Sequence, residues 1–231
     1  MSKIKMFTVF SCFVFISLGV ISQRKALACE LAGFSNYIEI GPNIFISSQT
    51  PKNNHQEILS IISAGKARIT ETYGAMTSAP KIVIPMSISG ASKLAVNSVG
   101  QTHFTPISQC VVLGPEGQNI DVAAHELLHA EVIHRVGWIN YTFSIPIWFG
   151  EGIATIVDHR EHLLVENISL TKDKVMKVQT KGFDFFADGN IYENYLAARL
   201  AVDSIDRASL YKKLAKIREG EKFHDVYNFL N

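Results

Sequence analysis

The sequence predicts a single α+β domain in which a small mixed sheet packs on helices. Short β-branched runs at 44–47, 81–86 and 110–113 read as strands, bounded by Gly, Pro or Asn. Between and after them, apolar residues recur at helical spacing, as in Ile58, Ile61, Ile62, Ile69 and Tyr73, and again in Ile191, Tyr195, Ala198 and Val202. With 47 % hydrophobic residues the chain can bury one core of ordinary size.

Residues 1–28 read as a targeting segment, which leaves 29–231 as the folded domain, with its core in 55–231. Lys3 and Lys5 precede an apolar run from Met6 to Ile21, and Ala26-Leu27-Ala28 supplies a small-residue cleavage signal. The run is short for a membrane span. Export is therefore expected, to a periplasm or the extracellular space. Cys29 follows the cleavage signal directly and has two competing readings. It can pair with Cys110 in an oxidising compartment, or it can carry a lipid after cleavage, as bacterial lipoproteins do. A membrane partner is expected only if Cys29 is lipidated or the segment stays uncleaved. The balance of 22 basic and 21 acidic residues, without a basic stripe, argues against nucleic acid.

Pro51 to Asn54 reads as the entry to a helix that Gly74 ends. Residues 87–109, rich in Ser, Gly, Asn and Thr, read as a loop with one helical turn at 91–96. Residues 138–145 read as a connection in which Trp138, Tyr141 and Phe143 pack beneath the site. The mixed polar stretch 163–189 reads as a hairpin or flap, and 210–231 as one helix and a short terminal one.

Chemistry concentrates between Ile120 and Asp158. His125-Glu126-Leu127-Leu128-His129 has the pattern H-E-x-x-H. On a helix, His125 and His129 share one face and can offer ring nitrogens to one metal ion. Glu126 lies about 100° further round, where it flanks such an ion without having to bind it. Asn119 or Asp121 could cap this helix, and Ala123, Ala124 and Ala130 permit close packing. Catalytic zinc usually takes three protein ligands and keeps one position open. Glu151 is the candidate third, on an apolar helix that Pro146 could start. Gly150 and Gly152 beside it would let this helix approach the first. Asp158, two turns after Glu151, could orient a ligand histidine, because Thr155 takes the place one turn on. His134, His159 and His162 read as surface residues.

H-E-x-x-H followed by Trp148-Phe149-Gly150-Glu151-Gly152-Ile153-Ala154 resembles the gluzincin branch of the zincin metallopeptidases, especially the small peptidase MA-like group. The resemblance spans roughly 55–231, with its specific matches in 125–154 and looser ones in 192–200. It implies a zincin-like fold with Zn2+ on His125, His129 and Glu151. It also implies Glu126 as general base toward a zinc-bound water and as proton shuttle to the leaving amine. The substrate would be a peptide or protein laid along the strand 111–113 as a sheet edge. Tyr192-Glu193-Asn194-Tyr195 matches the first two positions of the family's Y-E-x-[GA] segment but carries Tyr195 at the small-residue position. Tyr192 is the first candidate oxyanion donor and Tyr195 the second, with His224 behind both. Gly74-Ala75-Met76-Thr77 is similar to an aminopeptidase motif but has Thr77 in place of its glutamate, so it reads as a turn and endopeptidase is expected. Two alternatives stay open: an inactive zinc-binding interaction module, and a zinc hydrolase of a non-protein amide.

Overall fold

The computed structural model describes residues 24–164, 166, 170–182, 184–187 and 189–229. The apolar run of the targeting segment lies outside these residues. The architecture is α+β. A five-stranded mixed sheet runs in the order β1 (Tyr37–Gly41), β2 (Ile44–Ser47), β3 (Lys81–Ile84), β5 (Gln109–Leu113), β4 (Gly100–Phe104). The β2–β3 and β3–β5 pairs are parallel, and the two outer pairs are antiparallel.

The central strands read as unbroken apolar runs because both faces of the sheet are covered. Ile82, Ile84, Val111 and Leu113 point into the main core, against α2 (His55–Tyr73) and α4 (Ile120–Val136). Val83, Cys110 and Val112 point the other way, against α1 (Arg24–Glu30), Leu94 and Val96, the last two just beyond α3 (Ile88–Lys93). Cys29 on α1 forms a disulfide with Cys110 on β5, and Lys81 reaches Glu30 beside it. This pairing leaves Cys29 without a thiol for lipid.

α2 begins and ends as its sequence predicts. Gly74, at φ 101°, takes the left-handed conformation that stops it. The segment after it is pinned by Glu131, which is wholly buried on α4 and accepts from the Thr77 and Ser78 amides and from Arg135. Residues 74–77 are thus a tethered connection, as their sequence suggests.

Four expectations need correction. The strand 111–113 is interior, hydrogen-bonded on both sides, so the edge belongs to β4. Residues 87–109 hold β4 as well as a helical turn. Gln101, Thr102 and His103 are all polar, so this strand carries no apolar alternation in the sequence. Residues 138–143 form a helix, α5 (Trp138–Phe143), none of whose residues is buried, so Trp138 and Phe143 do not pack beneath the site. The stretch 163–189 carries α7 (Lys172–Val178) and α8 (Asp184–Ala187), so of the expected hairpin or flap the hairpin is overturned, while Phe186 and Ala187 of the insert line the cleft.

α6 (Ile147–Ile156) follows Pro146 and buries Trp148 and Phe149 among Phe223, Tyr227 and Phe229. Full burial of Phe149 alone stabilises by about 1.5–3 kcal/mol. α9 (Ile191–Ala201) packs along α6, and α10 (Leu210–Arg218) and α11 (Phe223–Val226) close the core.

Candidate metal centre

α4 is set by its cap. The Asn119 side chain accepts from the Val122 amide at 3.0 Å, which fixes where the helix starts and so which face His125 and His129 occupy. α2 crosses α4 at Gly65, where an added Cβ would stand 3.1 Å from the Ala124 amide nitrogen. The alanines of the ligand helix allow this contact. Gly152 allows a second one: a Cβ there would lie 2.4 Å from the Ala198 carbonyl oxygen of α9. The close approach of α6 is therefore to α9, not to the ligand helix as expected, and Gly150 has open space.

These elements bring three side chains together. His125 Nε2 and His129 Nε2 are 3.2 Å apart, and each is 3.4 Å from Glu151 Oε2. Among the described residues, this is the one group of three or more His, Cys, Asp or Glu side chains close enough to share an ion. Glu151 Oε2 is buried and has no hydrogen-bond partner. A buried carboxylate oxygen left this way costs free energy unless something fills its lone pairs, and a shared cation would.

Outer partners hold both imidazoles. Asp158 is fully buried, and its Oδ2 lies 3.4 Å from His125 Nδ1, a charge contact without the alignment of a hydrogen bond. Arg160 grips the same carboxylate with Nε at 2.9 Å and Nη2 at 2.5 Å. Thr155 turns back onto the Glu151 carbonyl of its own helix, which leaves the orienting role to Asp158. On the other histidine, the Tyr141 hydroxyl lies 3.4 Å from His129 Nδ1. A proton on each Nδ1 leaves both Nε2 lone pairs facing the centre. Burial acts against the charged forms here, yet Asp158, Glu151 and Glu126 push His125 up to about 10. The imidazoles hold Glu151 well below the usual carboxylate range against the same burial.

Asp158→Asn keeps the shape and removes the charge facing His125. Affinity for zinc should fall about 10–100-fold, the usual effect of losing an outer partner. Competition against a chromophoric chelator measures it, and an unchanged affinity would deny Asp158 this role.

Glu126 opens onto the same cleft of about 590 Å³ as the three clustered residues. Thr102 of β4 donates to Glu126 Oε2 at 2.9 Å, with the Glu126 carbonyl also in reach at 2.7 Å. Gly100 lets β4 come this close, since a Cβ there would meet Val122, the Val112 carbonyl and Glu126 within 3.3 Å. Tyr195 lines the cleft, its ring 5.9 Å from that of His125. Burial and the charges of Glu151 and Glu126 push its hydroxyl up, so it stays a donor. Tyr192 is not brought to the cleft. It is 47 % exposed, and its ring lies on His162, 4.1 Å between centroids. His134 and His159 are exposed, and His224 lies on a separate aromatic cavity formed by Trp148, Phe223 and Phe229. Sequence reasoning missed Thr102, hidden in a strand read as loop; it placed Tyr141 beneath the site as a packing residue but not its hydroxyl beside His129.

No family model, no curated protein and no solved structure matches the chain.

Proposed function

We propose that the chain is an exported zinc-dependent peptidase of gluzincin type. The observation that carries this reading is the convergence of His125 Nε2, His129 Nε2 and Glu151 Oε2, with Glu126 opening onto the same cleft. A tetrahedral zinc with bonds of about 2.0–2.1 Å separates its ligand atoms by about 3.4 Å. The three separations of 3.2, 3.4 and 3.4 Å fit one face of such a tetrahedron. The disulfide supports an oxidising compartment.

His125, His129 and Glu151 would hold the ion. When bound, it would supply a Lewis acid that polarises a carbonyl and acidifies a water. Glu126 needs only to accept a proton from the attacking water and return it to the amide nitrogen as the C–N bond breaks. Thr102 keeps that carboxylate turned toward the cleft by occupying Oε2. The Tyr195 hydroxyl is the donor for the oxyanion that develops on the carbonyl. The backbone of an extended peptide would pair with β4, the open edge that lines the cleft.

Incubating the zinc-loaded chain with a reduced and alkylated unfolded protein tests the reading. Fragments ending in free amino and carboxyl groups are expected. Intact substrate beside a metal-loaded site would favour the interaction module or a non-protein amide. Tyr195→Phe should lower kcat about 10²-fold, as loss of an oxyanion donor does. Tyr192→Phe should leave turnover within twofold, and the reverse order would return the role to Tyr192.

A further inference from the structure

Asp158, which faces His125, does not sit on a regular element. α6 ends at Ile156, and residues 158–160 follow in irregular backbone. Such a segment turns easily unless its own polar groups are held. Yet Asp158 is fully buried, and its carboxylate has to stay on one ring nitrogen. Arg160 grips that carboxylate, but it belongs to the same irregular segment and would move with it. A fixed position needs a hold from other elements.

Two residues supply it. Arg68, on α2, donates through Nη1 to the Val157 carbonyl at 2.9 Å and also to Asp121 Oδ1. Nη1 carries two N–H groups, enough for both acceptors. Asp121, in the first turn of α4, accepts the His159 amide on that same Oδ1 at 3.2 Å. The residues before and after Asp158 are thus each tied down. Val157 caps the end of α6, where a helix leaves carbonyls that its own amides cannot reach, and Arg68 satisfies this one.

The place of Asp121 on its helix gives the contact its consequence. It precedes His125 by four positions and so lies one turn away on the same face of α4. The face that presents His125 to Asp158 therefore also presents Asp121 to the His159 amide. Helix and irregular segment are joined at two neighbouring rungs: Asp121 Oδ1 to the His159 nitrogen at 3.2 Å, and His125 Nδ1 to Asp158 Oδ2 at 3.4 Å. Loosening the first rung frees the second.

We infer that Arg68 and Asp121 form a clamp that sets the position of Asp158 and, through it, of the His125 imidazole that would bind metal. Both are positioning residues, at one remove from the ligands. The inference rests on the metal centre within the peptidase reading and not on hydrolysis.

The test measures the zinc affinity of the full chain by competition with a chromophoric chelator. Arg68→Met and Asp121→Ala are each made in the wild type and in Asp158→Asn. Methionine keeps most of the arginine stem, and alanine suits a helical position. The two side chains are 20 and 26 % exposed, so removing either leaves no sealed charge behind. Each single change should lower affinity about 3–10-fold, a part of the loss expected for Asp158→Asn. In the Asp158→Asn background either should lower it less than about twofold, because most of the influence that they position has gone. Support given only to the fold would not depend on Asp158. Should one variant fail to fold, the other carries the same comparison. Equal losses in both backgrounds, or wild-type affinity in the single variants, would overturn the clamp and leave the metal centre in place. A wild-type chain that takes up no zinc would overturn both. Losses that depend on Asp158, in a chain that cuts no substrate, would keep the clamp and end the hydrolytic reading.

Discussion

Glu126→Gln should keep its zinc and lose about 10²–10⁴ in kcat, the contribution expected of a positioned general base. The change is nearly isosteric. Glutamine retains a carbonyl oxygen that Thr102 can still reach, so the local packing of β4 on α4 should persist. The ligand triangle does not involve Glu126, and metal content should stay at the wild-type level. What disappears is the carboxylate's capacity to take a proton from water. Single-turnover kinetics on an unfolded substrate, with metal content measured on the same sample, separates loss of chemistry from loss of metal. Turnover within tenfold of wild type would remove Glu126 from the mechanism.

Gly152→Ala should be the most damaging small change in the helices around the centre. The added Cβ would stand 2.4 Å from the Ala198 carbonyl oxygen, 2.9 Å from its carbon and 3.0 Å from Val202 Cγ2. The nearest two atoms are backbone, so neither can swing away, and α6 must separate from α9. Forcing extra volume into such a contact costs about 1–3 kcal/mol or more. For a domain of this size, that lowers the midpoint of thermal unfolding by about 2–12 °C. Glu151 precedes the displaced residue directly, so metal affinity should weaken as well. Gly150→Ala is the control. It has nothing within 4 Å and lies inside the helix, so alanine should stabilise by about 0.5–1 kcal/mol. Calorimetry that finds the two variants equally stable would mean that α6 and α9 are not in this contact.

The candidate ligand cluster was legible because its geometry is local. Residues spaced by four on a capped helix must share a face, so His125 and His129 needed no tertiary information. Glu151 needed only a second apolar helix at a workable distance. What the sequence hid depends on which strand lies where. β4 is short, polar at Gln101, Thr102 and His103, and flanked by Ser, Asn and Pro, so its period-two pattern was too weak to separate from loop. With β4 unseen, β5 became the edge, and Thr102, whose hydroxyl reaches the Glu126 carbonyl and carboxylate, went unnoticed. The run of apolar residues in β5 already carried the opposite message, since a strand apolar on both faces belongs inside a covered sheet. Tyr192 and Tyr195 are three positions apart on one helix, roughly one turn, and only the placement of α9 against α6 decides between them. That placement turns on Gly152, whose close contact is with Ala198 of α9 and not with α4.

The most direct test of the centre is the zinc content of the purified chain beside that of Glu151→Ala. One zinc per wild-type chain, largely lost from the variant after dialysis against a weak chelator, is the expected result. Zinc retained in full by Glu151→Ala, or absent from the wild type supplied with excess zinc, would contradict the three-ligand centre on which the account depends.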